Sequence, residues 1–248
     1  MDRGKFTTDA IIREDIKICQ PVDGFRFTTD SLLLAGFVKN KPYKNVLEIG
    51  SGSGIISVLL ANFFKIKNIY AVELNDIMYQ ALTKTISLNN LSDKILTFNT
   101  DIRDFKPDTT FEMIISNPPY RNPDTGKNSI SIVKKQARFT DTLHISDIFK
   151  FAKSYLKTGG HLYISYIADR AVDLFQSRDY QLEPKRVKLL YPDIDKPARL
   201  IFVEYRKGAG AELLIEPPLF HCINNTINEE FTKYSSLDFW NNLSGGKI

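Results

Sequence analysis

Short apolar runs recur along the chain, and the stretches between them carry helical spacing. Asn45 to Ile49, Asn68 to Val72, Lys94 to Phe98 and Phe111 to Ile115 read as compact strands. Ile55 to Phe64 and the amphipathic stretch Asp76 to Asn89 read as the helices that join the first three. Strands alternating with helices predict βαβ units and a parallel sheet. Further on come a helix over Ser146 to Leu156 closed by Gly159-Gly160, a strand over His161 to Ile167, and a helix over Asp169 to Ser177 with Asp169 as its cap. Gln181 to Leu190, Leu200 to Tyr205 and Glu212 to Ile215 complete the strands. Upstream, Asp15 to Cys19 alternates like a short strand stopped by Pro21, and Ser31 to Val38 suits a helix capped by Thr28 or Thr29. From Asn224 the chain turns polar with scattered aromatics, which predicts a weakly packed helix or a disordered tail. The expected division is an amino-terminal segment over 1–24, one α/β domain over 25–223 and a tail over 224–248.

Composition narrows the class only a little. At 248 residues the chain can bury one sizeable core. Lys and Arg outnumber Asp and Glu by 33 to 29, a mild excess that permits nucleic acid as a partner without demanding it. Cys19 and Cys222 form no CxxC and no ligand cluster, and His144, His161 and His221 are dispersed, so no metal is expected and free thiols in a reducing compartment are. The start lacks an apolar signal region and no run approaches a membrane span, so the expectation is a cytoplasmic protein without a membrane partner, most simply a monomer.

The chemistry gathers at strand ends. Gly50-Ser51-Gly52-Ser53-Gly54 lies between a strand and a helix, where missing Cβ atoms let a ligand lie against the backbone and the helix start offers free N–H donors. Glu73 ends the next strand, 23 residues after Gly50, placed to accept from ribose hydroxyls. Tight helix–strand packing would also use such glycines, and a GxGxxG dinucleotide site would share the acid. The spacing here is GxGxG, which favours a nucleoside without a pyrophosphate. Asp101 follows the third strand, where a carboxylate can accept from an adenine amino group. The fourth delivers Asn117-Pro118-Pro119-Tyr120. Two prolines fix φ and donate nothing, and they hold Asn117 extended, so the Asn117 side-chain oxygen and the Pro118 carbonyl become rigid acceptors beside an aromatic ring. Arg121 to Lys135 is a polar run whose Lys127, Lys134 and Lys135, with Arg138 just after, suit phosphate contacts. Lys185, Arg186, Lys196 and Arg199 are further candidates for an RNA surface.

With VLEIGSGSG, VELN, TDI and NPPY in this order, the chain resembles the Rossmann-like S-adenosylmethionine-dependent methyltransferases that modify amino or amide nitrogens. DGFRFTTDSLLLA, Ala137-Arg138 and KPARLIFVEYRKGA narrow this to a resemblance to the tRNA(Val) adenine-37 N6-methyltransferase family, over roughly residues 24 to 206. That family usually continues ArgHisGlu where this chain has Arg138-Phe139-Thr140. The resemblance implies a seven-stranded mixed sheet with helices on both faces and an antiparallel last hairpin. It also implies S-adenosylmethionine as cofactor and tRNA as partner. Glu48, Gly50, Gly52 and Gly54 would lie by the methionine part, Glu73 with Leu74 by the ribose, and Asp101 with Ile102 by the adenine. Arg26, Phe27, Thr28 and Asp30 would close the pocket, and Asn117, Pro118, Pro119 and Tyr120 would be the catalytic tetrad.

Rival readings remain. Glutamine-N5 methylation of a release factor uses the same NPPY logic but calls for a helical amino-terminal domain, for which 24 residues are too few. A guanine-N2 or DNA-adenine enzyme would share the core, and the DNA enzyme would need a base-reading domain. A nucleotide-binding protein without transferase activity is the reading from another class. An Asn117 oxygen turned into the scaffold, with no cavity before it, would favour that last one.

Overall fold

The computed structural model describes residues 5–23, 26–119 and 143–245. The centre is a sheet built from β3 (Tyr43–Ile49), β4 (Ile66–Glu73), β5 (Ile95–Asn99), β6 (Phe111–Ser116), β7 (Leu156–Ile167), β8 (Leu182–Tyr191) and β9 (Leu200–Lys207). Their order is β8-β9-β7-β6-β3-β4-β5, parallel except for β9, which runs antiparallel to both β7 and β8. The expected seven strands are therefore present, and β10 (Leu214–Ile215) and β11 (Leu219–Phe220) add two short rungs parallel to β8.

Both faces are apolar because both are covered. On one face lie α1 (Thr29–Phe37), α2 (Ile55–Phe63) and α3 (Asp76–Leu88), burying Leu34, Val58, Leu59, Leu82, Met113 and Ile115 together. On the other lie α4 (Ile145–Tyr155) and a 3-10 segment, Ala168–Tyr180, over Leu47, Ile114, Leu162 and Val203. The chain steps outward from β3 to β5, then returns to place β6 on the other side of β3. That reversal makes a crevice at the carboxyl ends of β3 and β6, the usual ligand position in open α/β sheets.

Several local expectations change. The first 24 residues hold a hairpin, β1 (Phe6–Ile11) with β2 (Arg13–Pro21), rather than one strand. It docks on α3, where the Cys19 N–H donates to Thr85 Oγ1 and Asn89 joins the Lys17 backbone at both ends. Gly159-Gly160 lie inside β7, beside an irregularity in the β6–β7 register, instead of ending a helix. The expected loose tail is corrected as well. Beyond a small hairpin, β12 (Cys222–Ile223) with β13 (Thr226–Ile227), come α5 (Glu229–Thr232) and α6 (Leu237–Leu243). Trp240 of α6 is fully buried with its ring centroid 5.4 Å from that of Phe63. Among the described residues no helix is long and apolar enough to cross a membrane, and no group of three or more His, Cys, Asp or Glu is arranged to hold a metal.

Candidate active site

β3 and β6 are in register through Ile49 and Ser116, and the Ser116 hydroxyl donates to the Ile49 carbonyl at 2.9 Å. The next residues along are Gly50 and Asn117, so the glycine turn and the carboxamide leave the sheet side by side. Gly50, Gly52 and Gly54 all have positive φ, a region only glycine enters cheaply. A Cβ on Gly50 would meet nothing within 4 Å, which leaves that backbone open to close approach.

The acids around the turn are held by backbone and hydroxyl donors. Glu48 is 2% exposed and accepts from the Ser57 hydroxyl at the start of α2. Burial pushes its carboxyl up to about 8, against the pull of Ser57 and with Glu73 adding to the rise. Glu73 accepts from the Gly52 N–H at 2.7 Å and the Asn75 N–H at 2.8 Å, so it buttresses the very turn it faces. Burial raises it too, opposed by those N–H groups. Leu74 is exposed beside it and Ile102 is buried at the end of the next loop. Asp101 is held by Arg103, whose N–H and Nε donate to Oδ1 at 2.8 and 2.9 Å, and that pairing holds its carboxyl below the usual range.

The segment before α1 is placed by the hairpin, a link that sequence reading missed. Arg26 pairs with Asp9 at 2.7 Å, and the Phe27 N–H donates to Gln20 Oε1 at 3.0 Å. Thr28 is the N-cap residue of α1 by position, but its side chain makes no cap bond. Asp30 pairs with Arg199 at 2.7 Å, which ties α1 to the connection between β8 and β9. A predicted cofactor residue and a predicted RNA residue thus hold each other.

Asn117 is half-buried, Pro118 buried and Pro119 exposed. The Asn117 oxygen accepts from the Ser165 hydroxyl at 2.5 Å, and its Nδ2 donates to Ser31 Oγ at 3.1 Å. The scaffold therefore engages this amide oxygen, which meets one half of the condition set for a nucleotide-binding protein without transferase activity. Neither serine was singled out in advance. The available signal was a single serine in each of two largely apolar stretches, LYISYI and DSLLLA.

Of the proposed basic surface, Lys196 and Arg199 are exposed in the β8–β9 connection at the carboxyl edge. Lys185 and Arg186 lie in the middle of β8, where Arg186 pairs with Glu204 of β9. Lys185 donates to the Gly210 carbonyl at 2.9 Å, and Arg186 is committed to Glu204, Glu216 and the Phe37 carbonyl. The structure does not bring these two to the site. Tyr120, Lys127, Lys134, Lys135 and Arg138 lie outside the described residues.

A parallel sheet with an antiparallel closing hairpin, a positive-φ glycine turn after its central strand and an acid at the next tip defines the Rossmann-like class I methyltransferase fold. Solved structures agree on that fold. A protein of Agrobacterium tumefaciens described as a predicted O-methyltransferase superposes with a TM-score of 0.65 at 17% identity, over 85% of this chain and 96% of that one. M. jannaschii TYW2, solved with AdoMet, gives 0.54 at 15% identity, over 84% and 89%. The chain belongs to the methyltransferase small domain family, whose model matches residues 26–174. Among curated relatives, the tRNA1(Val) (adenine(37)-N6)-methyltransferase of Vibrio campbellii is 30% identical over 55% of this chain and 56% of that protein. The match thus spans about half the length of that relative. The protein of the same name from Parabacteroides distasonis is 24% identical over 86% and 89%.

Proposed function

We propose that the protein transfers a methyl group from S-adenosylmethionine to the exocyclic N6 of an anticodon-loop adenine, position 37 of tRNA(Val). The observation that carries this reading is the register of β3 and β6, which sets the glycine turn beside the Asn-Pro-Pro carboxamide. Family membership and the names of the relatives point the same way.

The residues present fit the cofactor. The open backbone at Gly50 accepts close approach, Glu73 would supply a carboxylate to ribose hydroxyls, and exposed Leu74 would offer apolar surface to a flat base, with Ile102 buried behind the same edge. When bound, the cofactor supplies a methyl group on a cationic sulfur. The chain's task is to make a poor nucleophile reactive, because an adenine amino nitrogen delocalises its lone pair into the ring. The Asn117 oxygen and the Pro118 carbonyl accept from its two N–H groups and hold the nitrogen pyramidal. Both acceptors are rigid, so orientation and fixed dipoles lower the barrier without a strong base, by several kcal/mol on the usual scale. Tyr120 supplies a stacking surface for the extruded base, and an unpaired loop purine is the cheaper one to extrude.

Two measurements test this. Mass mapping of nucleosides in tRNA from cells with and without the active protein is expected to show N6-methyladenosine at position 37 only with it. Unchanged modification there sinks the reading. Asn117→Ala is expected to keep S-adenosylhomocysteine affinity by calorimetry while losing tritium transfer. Equal loss of both counts against the assignment of Asn117 to the chemistry.

A further inference from the structure

We infer that Ser31 and Ser165 are positioning residues, two hydroxyls from different elements that clamp the Asn117 amide in the plane needed for transfer. The inference rests on the proposed methyl transfer to an amino nitrogen and adds the groups that set its geometry. An Asn side chain beyond a strand end has a broad, shallow torsion about its last bond, so nothing internal to the residue fixes where the oxygen points. Here the fixing is external. Ser116 pairs with Ile164 as the last rung between β6 and β7, which sets Asn117 opposite Ser165 one step further on. Ser165 is fully buried and donates to the amide oxygen at 2.5 Å. From the other side Ser31, 5% exposed in the first turn of α1, accepts from Nδ2 at 3.1 Å. Its neighbour Asp30 anchors that turn to Arg199.

The amide is thus gripped at both heteroatoms. An amide oxygen carries two lone pairs, and donation from Ser165 to one of them polarises Asn117. Loss of either hydroxyl removes one of the bonds that set the plane, and an acceptor misplaced by an ångström costs on the order of 100-fold in rate. Both hydroxyls act through Asn117, so the expected effect falls on kcat rather than on affinity for cofactor or RNA.

The test compares Ser165→Ala, Ser165→Cys and Ser31→Ala with the unaltered protein, using tRNA lacking the modification. Ser165→Ala is expected to lower kcat by roughly 10- to 100-fold with KM for tRNA and S-adenosylhomocysteine affinity unchanged. Ser165→Cys, which keeps a weak donor, falls between. If Ser165→Ala does not fold, Ser31→Ala, read in the same way, decides. Wild-type kcat in folded variants overturns the inference, as does a fall in kcat matched by equal falls in ligand affinity and melting temperature. Absence of transfer by the unaltered protein overturns the underlying reading instead, and it is seen before any variant is compared.

Discussion

Glu48 shows what a single buried acid costs this fold. Its carboxyl is held at about 8 chiefly by burial, with Ser57 donating to it and Glu73 the charged group acting on it. Between the ordinary value near 4.5 and that raised value, the folded chain keeps a proton that the unfolded chain has lost. Stability contributed by this group is therefore complete at low pH and lost as pH rises through about 8, with a slope of up to about 1.4 kcal/mol per pH unit. Glu48→Gln keeps the shape and removes the titration. Urea unfolding from pH 5 to 9 is expected to show wild-type stability falling relative to the variant across that window. Parallel curves would show that Glu48 is already ionised in the folded protein. Sequence reading named Glu48, Glu73 and Asp101 correctly as acids of the strand-end edge. It did not see that Gly52 and Asn75 wrap Glu73 or that Arg103 holds Asp101, because those bonds depend on how two short turns close.

At the level of elements, β3, the glycine turn and α2 were legible because a compact apolar run, three glycines and an apolar helix follow in strict order. Gly54 ends that turn with φ at +87, and a Cβ there would stand 2.7 Å from Leu82 Cδ1 of α3. Gly54→Ala combines left-handed strain, about 1–2 kcal/mol, with overpacking of about 1–3 kcal/mol. Gly50→Ala, whose Cβ meets nothing within 4 Å, carries the strain alone. Denaturant unfolding is expected to rank Gly54→Ala as the more destabilised of the two, while Gly50→Ala shows its loss in S-adenosylhomocysteine affinity. Equal stabilities would mean that α3 yields to the added methyl. The amino-terminal hairpin escaped sequence reading for a physical reason. Its reversal places Ile12 at a φ of +58, and a β-branched residue there is no turn signal. Its stability comes instead from α3, some 70 residues on, through Thr85 and Asn89.

The whole molecule is closed by the segment that composition alone presented as a tail. A polar stretch hides few large anchors, and here Tyr234 and Trp240 do the work: both are buried, and the Trp240 Nε1 donates to the Tyr234 carbonyl at 2.9 Å. The Tyr234 ring covers Gly36 of α1 so closely that a Cβ there would lie 2.7 Å from it, which explains a glycine inside a helix. The carboxyl-terminal segment therefore packs on α1 and α2, the two helices that carry Ser31 and the glycine turn. Trp240→Ala is expected to cost about 3–5 kcal/mol of global stability, because it opens a cavity against Phe63 where the segment meets the core. Unfolding followed by tryptophan-independent circular dichroism should show one cooperative transition at a lower midpoint. Removal of residues 224–248 should lower it further. A midpoint unmoved by either change would make the segment an appendage, and the buried ring at position 240 argues against that outcome.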